Sequence, residues 1–262
     1  MNKLHFFILL PLFLFVFSAC GDDDDNGTPT GTLEIFFEPI YGEDRGLISP
    51  TTNFSYASGN DIRVIRSDMY LGNISLGTAS ATTVLSEIEY VSLGEPKMDE
   101  STGLTDKFLV LNNVPAGSYS FFEFGIGVPP ELNSKTPSDF SSSHPLARGG
   151  NYWDAWDSYI FAKLEGRLDV NDDGLFSQNF IYHSGQDELY RILRANIPLT
   201  ISEGGTTRLK IVIDHEKLLI NEDGEFVDIE ETPIDHSAGD LALVRFIADN
   251  YGRAFSLELL SQ

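Results

Sequence analysis

The sequence predicts an all-β protein, a β-sandwich of about nine or ten mostly antiparallel strands with a short C-terminal helix. Three observations predict it. Short apolar-alternating runs recur from Leu33 onward, Gly, Pro, Asn and Asp clusters separate them, and no βαβ rhythm interrupts them. The runs are Leu33 to Pro39, Asp61 to Ile65, Met69 to Leu76, Lys107 to Leu111 and Gly117 to Phe124. Tyr159 to Leu168, Phe180 to Tyr182, Leu189 to Ile197 and Arg208 to Ile213 complete the set. Near the end, Leu241, Val244, Ile247 and Ala248 fall on one helical face within Asp240 to Asn250, with Ser237 or Asp240 as candidate caps. No fixed repeat and no later linker divides the chain, so residues 32–262 read as one domain.

The first 31 residues read differently. Lys3 followed by the apolar run Phe6 to Val16 has the form of a signal peptide over residues 1–19, too short to span a bilayer, which takes about 20 residues. Phe17-Ser18-Ala19-Cys20 resembles a bacterial lipobox, with the chain's single cysteine at the position that is lipidated. Asp22 to Asp25 repel one another, and the stretch to Gly31 reads as an acidic flexible tether, residues 20–31. The Cys-Gly-Asp-Asp-Asp-Asp start also looks like a surface-export signal of Bacteroidetes lipoproteins. The expected location is extracytoplasmic, anchored to the outer membrane through Cys20 and exposed at the cell surface.

Composition excludes several functions. The chain carries 17 Lys and Arg against 40 Asp and Glu, a charge of −23. Phosphates would repel it, so nucleic acid is not an expected partner. One cysteine rules out a disulfide scaffold and a multi-cysteine zinc site. There is no GxSxG, no HExxH and no phosphate-cradling glycine loop, and no enzymatic activity is expected. Asp157 and Glu165 would make a glycosidase pair, but chance supplies such pairs among 40 acids.

Candidate binding residues cluster in few places. The loop Pro129 to Asn151 is long, proline-rich and poor in apolar residues, and it leads into Tyr152-Trp153-Asp154-Ala155-Trp156-Asp157, which holds both tryptophans. These rings read either as core or as a stacking platform for a glycan or protein. Imidazole is a common metal ligand, and His144, His183 and His236 are candidates, whereas His215 reads as surface. Asp154, Asp157 and Glu165 are candidates to orient such ligands. Asp169, Asn171 and Asp173, followed by Gly174, match the first half of a calcium loop, but Phe180 stands where the bidentate acid belongs; an Asp-rich hairpin turn is the other reading.

Taken in order, Met69 to Leu76, Val114-Pro115-Ala116-Gly117-Ser118-Tyr119, Phe124 to Val128, Tyr152 to Gly166 and Tyr182-His183-Ser184-Gly185 resemble the MbnP-like family. That family is named for the periplasmic partner protein of methanobactin copper-uptake systems. The resemblance runs from about Leu33 to Phe255. It implies a secreted β-sandwich that binds copper. For some members it also implies a partner of the di-haem cytochrome c peroxidase type, which oxidises a tryptophan to kynurenine. Carried over, His183 matches the His-x-Gly position, Trp153 and Trp156 the paired tryptophans, and His236 a familial C-terminal stretch. Asn151 stands where relatives often carry Met, which removes a candidate soft ligand. Ser158 replaces a frequent glycine. Copper binding needs two or three of these imidazoles and an indole-derived group to converge. If Cys20 carries the anchor, Cys20→Ser will move the protein from the membrane fraction to the soluble extracytoplasmic fraction, as a fractionation blot would show.

Overall fold

The computed structural model describes residues 28–236 and 240–262. Cys20 and most of the expected tether therefore lie outside the described residues, as does Ser237. The first strand, β1 (Thr30–Tyr41), starts earlier than the sequence suggests. Thr30 and Gly31 belong to it because Gly31 fits against the backbone of Ser202 and Gly205, where a side chain would collide. Along β1, Leu33, Ile35 and Phe37 face inward and are almost fully buried.

The other principal strands are β2 (Asp61–Gly77), β3 (Thr82–Ser92), β4 (Phe108–Pro115), β5 (Phe121–Ile126) and β6 (Tyr152–Trp153). Then come β7 (Ser158–Asp169), β8 (Gln178–Gly185), β9 (Arg191–Ala195), β10 (Thr206–Asp214), β11 (Ile234–Asp235) and β12 (Phe255–Ser261). One sheet runs β12-β10-β1, with β4 on the far side of β1. The other runs β9-β5-β2-β7-β8-β11, with β3 also on β2 and β6 on β7. Their inner faces share one core, from Leu33 and Ile211 in the first sheet to Leu71, Leu164 and Tyr182 in the second. The predicted sandwich is thus present. Most pairings are antiparallel, but β1–β10 and β8–β11 are parallel.

Several elements differ from the periodicity reading. Asp61 to Ile65 and Met69 to Leu76 form one strand, because Asp68 is satisfied in place. It accepts from Arg66 Nε at 2.5 Å, Tyr90 OH at 2.9 Å and Ser92 Oγ at 2.6 Å. The run Gly117 to Phe124 instead divides at Ser120: Gly117–Tyr119 pairs with Leu199–Ile201, and β5 joins the second sheet. The C-terminal helix spans Ala242–Asp249, buries Val244, Ile247 and Ala248, and receives an Asp240 carboxylate at the Ala242 N–H.

The long loop is built rather than loose. It contains a helical turn (Pro130–Asn133) and three 3-10 turns, and it covers the outer face of the second sheet. Leu132 and Leu146 from the loop pack there with Tyr70, Ile88, Tyr159 and Phe161 as a second, smaller core.

His215, expected at the surface, is fully buried at the start of the helix His215–Leu219. Its Nδ1 lies 2.9 Å from the Ile40 carbonyl, and Nε2 has no partner. Burial pushes its pKa down to about 4. Below pH 6.5 the unfolded chain takes up a proton that the folded chain refuses. Stability therefore falls as pH drops from 6.5 towards 4, by about 3 kcal/mol for this group alone. Urea unfolding at pH 7.5 and 4.5 will show a smaller acid loss in His215→Asn than in the parent.

Candidate metal centre

The site forms on the outer face of the second sheet because strand register brings its parts together. In β8, residues two apart share a face, so His183 and Gly185 point outward together while Phe180 and Tyr182 enter the core. β11 runs parallel to β8, pairing Ile181 with Ile234 and Tyr182 with Asp235. Continuing that register carries His236 beside His183, and their ring centroids are 5.9 Å apart.

Gly185 makes the floor. An added Cβ there would lie 2.7 Å from two Trp156 ring carbons and 2.7 Å from the Tyr159 carbonyl. Trp156 lies on that bare backbone, and Trp153 stacks on Trp156 at 4.9 Å and 17°. His236 covers Trp153 at 4.6 Å. The two indoles are brought over the sheet by a tight turn between β6 and β7, closed by the Trp156 N–H to the Trp153 carbonyl at 3.0 Å. Asn133 ties this turn to the long loop, accepting from the Tyr159 N–H at 2.9 Å and donating to Asp187 at 2.8 Å.

His183 is oriented by Glu165, whose Oε1 lies 2.9 Å from Nε2. A carboxylate only accepts, so Nε2 carries the proton and Nδ1 of the neutral ring holds the free lone pair. That Nδ1 is buried without a partner. Arg66 holds Glu165 from the other side at 3.2 Å. The hydrogen bond from His183, and then the Arg66 charge, keep the Glu165 carboxyl below its ordinary pKa despite partial burial.

Of the residues singled out from sequence, His183, His236, Trp153, Trp156 and Glu165 meet here. The others have different surroundings. His144 stacks on Phe140 at 4.4 Å, and its Nδ1 accepts from the Leu146 N–H at 3.2 Å, so that lone pair caps a 3-10 turn. Asp157 accepts from Tyr152 OH at 2.7 Å rather than orienting an imidazole. That bond pushes the Tyr152 phenol up to about 12. Asp154 is exposed on the turn. Both oxygens of Asp169 are used by its own hairpin, accepting from Asp173 N–H at 3.2 Å and Gly174 N–H at 2.7 Å, with Asp173 itself capping Leu175 N–H.

Arg66 and Lys163 had not been singled out. The signal for Lys163 is the outer face of β7, where the apolar Tyr159 and Phe161 give way to the charged Lys163, Glu165 and Arg167; Arg66 lies on the neighbouring β2. Asn151, read from the sequence only as the lack of a soft ligand, has a structural role. It is buried, accepts from Lys163 Nζ at 2.6 Å and donates to Tyr70 OH at 3.2 Å.

With the site in view, comparison with known proteins is decisive about kinship. The MbnP family profile matches residues 30–237. The chain belongs to the MbnP family. Among solved structures, MbnP from Methylosinus trichosporium is similar in fold, with a TM-score of 0.51 at 12% identity, covering 88% of this chain and 99% of that one. No curated protein sequence matches this chain.

Among the described residues of this MbnP-family chain, no three or more His, Cys, Asp or Glu side chains converge as a metal cage. The donors present are two imidazoles, one with an orphaned buried nitrogen, beside two indoles. That set suits an ion content with few, soft-to-borderline nitrogen ligands, such as monovalent copper. It suits zinc poorly, since zinc sites usually have four ligands. Gly185→Ala will drive Trp156 off the sheet. We expect a loss of about 1–3 kcal/mol in urea unfolding together with a changed native tryptophan fluorescence.

Proposed function

We propose that this protein is an extracytoplasmic copper-binding protein, anchored through Cys20, which holds copper for acquisition or handling without catalytic turnover. The observations that carry this reading are the buried, unpartnered His183 Nδ1 and the His236 ring, whose centroid lies 5.9 Å from that of His183, beside a stacked indole pair. His183 would hold the ion through Nδ1, because Glu165 takes Nε2. His236 would supply the second imidazole, with the Trp153 indole packed against it. The negative charge of the chain would raise the local concentration of cations without selecting among them.

In the same reading, a di-haem cytochrome c peroxidase-type partner would act on Trp153, the indole held between His236 and Trp156. The alternative of a glycan platform finds less support. One face of Trp153 meets Trp156 and the ring also meets His236, while Trp156 lies between Trp153 and Gly185, so neither presents a broad free face. A structural calcium in the Asp169 turn has no geometric support beyond the sequence pattern.

Titration of Cu(I) against a competing chelator tests the proposal. The purified domain will bind tighter than about micromolar. His183→Ala and His236→Ala will each weaken binding by roughly 100-fold, Glu165→Gln by about tenfold, and His144→Ala will leave it unchanged. No binding by the parent, or a loss with His144→Ala matching that of His183→Ala, overturns the assignment.

A further inference from the structure

We propose that Lys163 is the specificity-determining residue of this site, a fixed positive charge that favours a monovalent over a divalent ion. The inference rests on the copper reading and adds which charge state the protein selects.

Lys163 lies in the middle of a row across the second sheet. It pairs in register with His183 on β8 and with Asp68 on β2, so the three side chains share the outer face. It is buried, with 8% of its surface exposed. Its ammonium donates to the Gly150 carbonyl at 3.1 Å and to Asn151 Oδ1 at 2.6 Å. Both acceptors are neutral, and the short contact to Asn151 is that of a charge-assisted bond. The two nearby carboxylates are committed elsewhere: Asp68 to Arg66, and Glu165 to His183 and Arg66.

This arrangement sets the local charge. Asp68, Glu165 and Arg66, together with Asp235 beside His236 and Arg148 over the Tyr90 ring at 5.0 Å, would leave one net negative charge around His183, a setting that welcomes divalent cations. Lys163 cancels it. The chain as a whole carries −23 and attracts cations of every kind, so a local cation beside the ligand discriminates where the global field does not. A divalent ion differs from a monovalent one by a single unit of charge. At an effective dielectric of about 20 and a separation of roughly 10 Å, that unit facing an ammonium changes relative affinity by about tenfold.

Asn151 belongs to the same device. It holds the ammonium in place without neutralising it, which neither Met nor Asp could do.

The test measures Cu(I) and Zn(II) affinities separately by chelator competition in four proteins: the parent, Lys163→Met, Lys163→Arg and Asn151→Asp. Lys163→Met is expected to raise Zn(II) affinity relative to Cu(I) by about tenfold, and Lys163→Arg to keep the parent ratio. Asn151→Asp leaves the lysine in place but pairs it with a carboxylate, and is expected to move the ratio in the same direction as Lys163→Met. If Lys163→Met fails to fold, Asn151→Asp decides. A parent that binds no Cu(I) defeats the copper reading and this inference with it. A parent that binds Cu(I), with a ratio that neither Lys163→Met nor Asn151→Asp moves, defeats this inference alone.

Discussion

The hydrogen bond between Glu165 and His183 governs which nitrogen of the imidazole keeps a free lone pair. It is a contact between neighbouring strands: Glu165 pairs with Ile181 in register, two residues from His183 along β8, and its carboxylate reaches diagonally to Nε2. Arg66, on β2 at the other side of β7, holds the same carboxylate oxygen. Three consecutive strands thus hold one ring in one tautomer. A side chain fixed by sheet register has little freedom left to lose, so the Nδ1 lone pair is held in one direction. His236 is placed by the same logic from the opposite side, since the short parallel pairing of β11 with β8 ends one residue before it.

The aromatic side of the site depends on the absence of a side chain. Gly185 leaves a flat stretch of backbone, and the indoles stack upward from it to His236. The long loop supports that stack from outside. Its Leu132 and Leu146 bury against the sheet, and Asn133 clasps the start of β7. Without the second core the turn that carries both tryptophans would lose its support.

Much of this was legible in the sequence. The sandwich followed from alternation, because a strand with one wet and one buried face writes its period directly into composition. The convergence of Trp153, Trp156, His183 and His236 followed from family resemblance, not from spacing. Other parts were hidden for identifiable reasons. Thr82 to Ser92 has many polar residues among its apolar ones, and β3 was not recognised, although its Tyr90 and Ser92 satisfy Asp68. The seven-residue β12 likewise escaped notice. Glu165 was one acid among 40, and nothing short of register distinguishes it from Asp157, whose carboxylate serves Tyr152. Asn151 looked like a lost ligand because only a buried partner, Lys163, reveals what an amide does there.

The parallel neighbours β1 and β10 join Ile40 to Asp214 across most of the chain. Beside that seam, His215 Nδ1 lies against the Ile40 carbonyl. The first strand therefore gains its central neighbour only after some 170 further residues are available. Such topology sets a late closing step: one edge of β1 can pair with β4 early, while its other edge stays open until β10 arrives. Slow refolding from denaturant is the natural kinetic counterpart of that geometry.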